Sequence, residues 1–416
     1  MIDNKHFEKY KYGIMKLKFK HIILFIAVIP IATQAKDRET ATPQWIKTAL
    51  DRSSEQLLAA ADKCKKSKLS PRTYENGAIS LVGTNDWTCG FFPGSLWYMY
   101  EITKNDTFKT EAERFTGFIE KAQYRKDTHD LGFILNSSYG NGYRLTNNEQ
   151  YKSVLVTGSK SLMTRYHPEF GLIKSWDNRN GWQFPVIIDN MLNLEFLCNV
   201  GIITGDSSLK IACKSHADKT MVNQFRPDNS CYHVVNYDSI SGKVICKETH
   251  QGFSNSSSWA RGQGWALYGY TMMYRETKEA KYLEQAQKVA AFILNNPNLP
   301  VDKVPYWDFN APNIPNAPRD ASAAAVYASA LIELSTFVKE KNNYLETAET
   351  ILKNLSSEEY LSKKGENGLF ILKHSTGNWP KKSEVNAPLS YADYYYLEAL
   401  GRYMKVKGMK WKNVGM

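Results

Sequence analysis

Past residue 40, apolar residues recur every three to four positions along most of the chain. The segments near 43–63, 91–104, 107–122, 148–165, 185–203, 207–222, 258–276, 279–295, 320–340, 343–356 and 389–406 carry this pattern. That period puts apolar side chains on one face of a helix, so eleven helices are predicted. A β-hairpin is predicted at 231–249, where Cys231–Tyr237 and Val244–Cys246 flank Ser241-Gly242. Pro- and Gly-rich connections fill 296–318 and 374–388. No low-complexity linker divides the chain, so residues 36–416 read as one domain.

Several helix ends share a polar turn followed by an aromatic residue or Leu. They are Thr103–Phe108, Thr146–Tyr151, Thr204–Leu209, Thr277–Tyr282 and Lys341–Tyr344. Spacings of this size fit pairs of helices, one inner and one outer, joined by a tight turn. Uneven intervals argue against a regular solenoid. They fit an all-α ring with long loops at one mouth. Inner helices of such a ring should be apolar nearly all round. The stretch Phe184 to Leu197 is predicted to be one, with Asp189 inside it.

Charge adds a correction. The 416 residues carry a formal net charge of +11, which raises the question of an acidic partner such as nucleic acid. Residues 1–35 hold Lys5, Lys9, Lys11, Lys16, Lys18 and Lys20 against Asp3 and Glu8, a net +4, which leaves +7 for the remainder. A basic stretch, an apolar run from Ile22 to Ala32 and Thr33-Gln34-Ala35 read as a secretory signal, with Met15 as a second candidate start. The run is too short to span a membrane, and no Cys follows it for a lipid anchor. Export, to the periplasm, is therefore expected. The remaining Lys and Arg are scattered, so nucleic acid is not an expected partner and a small anionic substrate is.

Six Cys lie beyond that leader, and none has the spacing of a zinc site, so no metal is expected. Cys231 and Cys246 could face each other across the hairpin as a disulfide or stay as thiols. Serine-hydrolase, phosphate-loop and zinc-protease signatures are missing.

Two acids stand out. Asp189 lies in an apolar segment, where a carboxylate is costly unless paired or used, and where burial raises its pKa toward that of a general acid. Asp130 follows His129 and precedes Gly132. Two carboxylates on one cleft suit glycoside cleavage, although either could be a structural cap. Aromatics make up 13% of the chain, and Trp87, Trp97, Trp176, Trp182, Trp259 and Trp265 lie near these acids or their neighbouring motifs. His250-Gln251-Gly252, followed by Trp259-Ala-Arg261-Gly-Gln263-Gly-Trp265, combines hydroxyl-binding groups with a candidate anion clamp in Arg261. Arg319-Asp320 reads as another such element or as a plain ion pair.

Together these stretches resemble the unsaturated glucuronyl hydrolases, glycoside hydrolase family 88. The matching segments are Asp86–Trp97, His129–Phe133, Ile187–Asn190, Thr249–Gly252, Ser258–Trp265, Tyr306–Phe309, Arg319-Asp320 and Asp393–Glu398, in family order across residues 45–406. The resemblance implies an (α/α)6 barrel, one helix more than the eleven predicted. It implies removal of a 4,5-unsaturated uronic acid from the non-reducing end of lyase-made oligosaccharides by hydration of the double bond. Position by position it implies Asp189 as acid/base and Asp130 as the second essential carboxylate. It implies His250 or Gln251 and Arg261 as substrate contacts and Trp265 as a lining residue, with Trp87, His129, Trp176 and His233 completing the set. No cofactor is implied. Lys381 and Lys382 occupy a segment where family members differ in tolerance for sulfate. They read equally as a sulfate site, pointing to sulfated glycosaminoglycan fragments, or as a solvated loop. Competing readings are an unsaturated rhamnogalacturonyl hydrolase, a non-catalytic exported glycan-binding protein and a polysaccharide lyase.

Overall fold

The computed structural model describes residues 41–177, 179–339 and 341–411; the leader read over residues 1–35 lies outside them. In chain order the helices are α1 (Gln44–Cys64), α2 (Phe91–Thr103), α3 (Asp106–Phe118), α4 (Asn141–Thr146), α5 (Glu149–Met163) and α6 (Asn190–Thr204). They continue with α7 (Ser207–Asn223), α8 (Ala260–Thr277), α9 (Ala280–Leu294), α10 (Ala321–Ser335), α11 (Lys341–Leu355) and α12 (Ser390–Val406). A π-helical segment, Gly132–Gly140, runs directly into α4.

Six helical units form an inner ring. In order, α2, the π segment with α4, α6, α8, α10 and α12 each touch the next, and α12 returns to α2. Helices α3, α5, α7, α9 and α11 each pack outside the inner unit that precedes them. Helix α1 closes the outer layer, with Trp45 against Tyr403 of α12 at 6.0 Å between ring centroids. Chemistry matches position. Every residue of α8 from Ala260 to Met273 is buried, whereas α9 buries Tyr282, Gln285, Ala286, Val289, Ala290 and Ile293 along one stripe.

The recurring polar turn is the joint between inner and outer helices, and its chemistry repeats. Thr103, Thr146, Thr204 and Thr277 each donate a hydroxyl hydrogen bond to the carbonyl four residues back, at 2.6–2.7 Å. Lys104, Asn147, Gly205 and Lys278 follow at φ of 57°, 54°, 76° and 59°, ending each helix in the left-handed conformation. Asn105, Asn148 and Asp206 then cap the next helix by accepting from its backbone N–H groups.

Three expectations are corrected. Residues 132–146, which lie outside the eleven predicted segments, are helical; Gly132 is there for close approach, since a Cβ would lie 2.6 Å from Asn193 Cα. Phe184–Ile187 is not the start of an inner helix. After the paired strands β1 (Ser70–Glu75) and β2 (Ala78–Val82), and β3 (Tyr166–His167) and β4 (Leu172–Ile173), it is β5, paired antiparallel with Val234–Tyr237 (β6), which in turn pairs with Val244–Glu248 (β7). A short apolar run does not by itself separate buried strand from buried helix, and the partner strand decides it. The connection at 374–388 holds a hairpin of β8 (Ser375–Asn378) and β9 (Ser383–Ala387). The expected hairpin at 231–249 is β6–β7, and both Cys231 and Cys246 are free thiols.

Candidate active site

The N-terminal ends of the inner helices gather at one mouth of the ring. Asp189 directly precedes α6 and Asp320 directly precedes α10, Asp130 lies two residues before the π segment, and Tyr391 lies in the first turn of α12. Helix N-termini carry partial positive charge and unpaired N–H groups, so this mouth favours an anionic ligand. A cleft of about 480 Å³ opens there. Asp189, Asp130, Trp87, His129, Trp176, His250, Gln251 and Lys381 all line it.

Asp189 is only 7% exposed. Burial and then the charge of Asp130 push its carboxyl up to about 7, against a smaller opposing effect of Arg261. Its Oδ2 lies 3.6 Å from His233 Nε2. Asp130 accepts a hydrogen bond from Thr128 Oγ1 at 2.7 Å and lies 3.3 Å from His129 Nε2. Four buried polar atoms converge here with no complete hydrogen bond to a described residue: Asp189 Oδ2, His129 Nε2, His233 Nε2 and Trp265 Nε1. Buried polar atoms are rarely left so, and such a cluster marks a place where a polar ligand or water completes the bonding.

The aromatic wall is built around Trp176. Its ring stacks on Trp182 at 5.9 Å and meets His250 edge-on at 5.2 Å. Trp87 faces Tyr391 at 4.9 Å on another side of the cleft.

Four of the implied residues are not on the cleft surface. His233 is buried behind Asp189. Trp265 is fully buried between Phe133 and Tyr395, at 5.3 and 5.4 Å. Lys382 sits exposed in the β8–β9 turn at φ 52°. Arg261, read as an anion clamp, is 1% exposed and its hydrogen bonds are spent inside the protein. Nη1 meets Asp320 Oδ2 and the Thr376 carbonyl, both at 2.7 Å, and Nη2 meets the Gly377 carbonyl at 2.7 Å. Asp320 also caps α10 through Ser322 N–H at 3.1 Å. Arg261 is therefore a strut that ties α8, α10 and β8 together beneath the cleft, and Gln251 Nε2 shares the same Gly377 carbonyl at 3.0 Å.

Sequence reasoning missed several lining residues. Arg72 grips Glu384 through Nε at 2.6 Å and Nη2 at 3.0 Å, and reaches Asp86. Arg125 pairs with Asp127. These cations are matched. Among the described residues, Arg179 and Lys381 are cleft cations with no carboxylate partner. The guanidinium of Arg179 lies 4.4 Å above the Trp176 ring. His250 is pushed down to about 4 by burial, then by the charges of Arg179 and Lys381. Arg179 carried no motif, and only proximity to Trp176 could have drawn attention to it. Among the described residues no three His, Cys, Asp or Glu side chains are grouped to hold a metal, and no helix is long and apolar enough to cross a membrane.

Comparison with known proteins agrees with this geometry. Residues 61–407 match the profile of Glycosyl Hydrolase Family 88. The chain is 51% identical over 326 residues to an unsaturated glucuronyl hydrolase of Formosa agariphila, covering 78% of this chain and 81% of that one. The crystal structure of an unsaturated glucuronyl hydrolase specific for heparin superposes with a TM-score of 0.87 and 51% identity, covering 89% of this chain and 99% of that one. A variant of the Streptococcus agalactiae unsaturated glucuronyl hydrolase, solved with dGlcA-GalNAc6S bound, superposes at a TM-score of 0.75 with 28% identity, covering 88% of this chain and 92% of that one. The (α/α)6 ring with its small hairpins is thus the fold of these enzymes, and the chain belongs to glycoside hydrolase family 88.

Proposed function

We propose that this chain is an unsaturated glucuronyl hydrolase acting on lyase-made, sulfated glycosaminoglycan fragments, heparin-type disaccharides first among them. The observation that carries the reading is Asp189, a carboxyl held protonated to about pH 7 beside Asp130 in a mouth that favours anions. The 51% identity to a heparin-specific enzyme supports the substrate class.

The C4=C5 bond of the unsaturated uronate is an enol ether, so C4 is nucleophilic. Asp189 gives its proton to C4, and positive charge develops on C5 and the ring oxygen. The ionised Asp189 stabilises that charge and takes a proton from the water that attacks C5. The hemiketal so formed opens, C5 becomes a ketone, and the aglycone leaves with its oxygen. Asp130 keeps the Asp189 proton in place before the reaction through its charge. Disappearance of the conjugated ultraviolet absorbance, measured on unsaturated heparin, chondroitin and rhamnogalacturonan fragments, tests the assignment. The expected result is fastest loss on a heparin disaccharide. Loss confined to the pectin fragment, binding without loss, or new absorbance from an intact polysaccharide would each support one of the competing readings instead.

Arg179 and Lys381, cleft cations with no carboxylate partner among the described residues, supply the sulfate site in this reading; Lys382 is exposed in the β8–β9 turn and does not line the cleft. Lys381→Ala and Arg179→Ala are each expected to cost roughly threefold to fivefold in kcat/KM on a sulfated disaccharide, up to about 1 kcal/mol for an exposed charge pair. On the unsulfated disaccharide the change should stay within about twofold. Lys382→Ala should match wild type on both. The export signal proposed over residues 1–35 is tested by the N-terminus of the secreted protein.

A further inference from the structure

The two histidines behind the two acids are locked as opposite tautomers. His233 is fully buried, and its Nδ1 accepts the backbone N–H groups of His250 at 3.1 Å and Gln251 at 3.2 Å. An acceptor of two N–H groups carries no proton, so in the neutral ring the proton sits on Nε2, which points at Asp189 Oδ2 3.6 Å away. His129 is the reverse. Its Nδ1 lies 2.8 Å from Asn190 Oδ1. The Asn190 amide cannot be turned round, because its Nδ2 donates to the Ile173 carbonyl at 2.9 Å, and a carbonyl only accepts. Its second bond, from Nδ2 to Ser175 Oγ at 3.0 Å, is compatible with that orientation. His129 Nδ1 therefore donates, and Nε2 is left as a buried acceptor 3.3 Å from Asp130 Oδ1 with no hydrogen bond of its own. Burial pushes both imidazoles below their ordinary value, against an opposing effect of the Asp130 charge at His129, which favours the neutral rings.

We infer that Asn190 is a positioning residue: it makes His129 Nε2 and Asp130 a paired acceptor for the hydroxyls of the uronate ring, while the amides of residues 250–251 make His233 Nε2–H the donor that holds Asp189 once it is ionised. Two neighbouring acceptors repel each other unless a donor lies between them, so this corner demands a substrate O–H. The other corner offers a hydrogen to the carboxylate that has just lost one. Asn190 directly follows Asp189, so one helix start carries both the acid and the lock on the opposite wall. The assignment of the hydroxyls rests on the proposed function; the tautomers do not.

Long-range proton–nitrogen spectra of the full chain, labelled at histidine, read the tautomers directly. The signals of His129 and His233 are identified by their loss in His129→Gln and His233→Gln. The expected result is the Nδ1–H form for His129 and the Nε2–H form for His233. In Asn190→Leu, and in Asn190→Ser should the larger side chain not be accommodated, His129 should become a mixture while His233 stays unchanged. On the unsaturated disaccharide kcat/KM should fall roughly tenfold or more. An Nε2–H form of His129 in the wild type, or an unmixed Nδ1–H form in both variants, overturns the inference. Expected tautomers in a protein that turns over no unsaturated uronate would uphold the lock and refute the proposed function instead.

Discussion

Asp189→Asn should fold and be all but inactive, with turnover of the unsaturated disaccharide down by about 10²–10⁴-fold, the usual contribution of a positioned acid/base. The asparagine keeps the shape and loses the proton. In the wild type kcat/KM should fall as pH rises through about 7, because the acid form of Asp189 is then lost. Stability moves the other way between the two proteins. The folded value of about 7 lies above the ordinary 3.8, so between these values the folded chain holds a proton that the unfolded chain has released. Raising the pH through this window therefore destabilises the wild type, by on the order of 2–4 kcal/mol once complete. Asp189→Asn escapes that cost. Thermal melts should show it several degrees more stable than wild type at pH 8 and close to wild type at pH 4. Equal melting at both pH values would mean that Asp189 is not held protonated by the fold.

Arg261→Met should be damaged in the opposite sense, losing stability first and activity as a consequence. Removing the arginine leaves Asp320 buried at 0% exposure without its counter-charge, and loss of one partner of a buried pair costs about 3–5 kcal/mol. The Thr376 and Gly377 carbonyls lose their donors in the same step, so β8 and the residues near Lys381 lose their anchor. Adding Asp320→Asn, which can still cap α10, should restore a large part of the stability. Denaturant unfolding of the single and double variants measures this. An Arg261→Met protein with wild-type stability and only a raised KM would return Arg261 to the role of anion clamp.

Arg261 also shows where sequence reasoning stops. Between Trp259 and Trp265 it has the composition of a ligand-binding segment, and nothing local reveals that Asp320, 59 residues away, has claimed it. The acids were legible for a different reason: Asp189 follows an apolar run and Asp130 follows a histidine, so their cost is visible in their immediate neighbours. Helix pairing was legible because the joint has its own chemistry, Thr, then a left-handed residue, then a capping side chain. The missed inner segment at 132–146 lacks that clarity, since its glycines serve contacts with Asn193 and Tyr151 rather than a turn. Strand β5 was hidden because its partner β6 lies about 50 residues on. Arg179 was invisible because its significance is negative: other cleft arginines, Arg72 and Arg125, are paired, whereas Arg179 has no carboxylate partner among the described residues.

The claim beneath all of this is that the bond is cleaved by adding water across C4=C5 with the proton of Asp189. Nuclear magnetic resonance of the reaction in D2O tests it most directly, using an unsaturated heparin disaccharide with the wild type and Asp189→Asn. The expected result is that the vinyl proton signal at C4 disappears no later than the aglycone is released, with one deuteron delivered to C4, and that Asp189→Asn shows neither change on the same timescale. Release of the aglycone while the vinyl signal persists, or deuteration by Asp189→Asn at the wild-type rate, would contradict it.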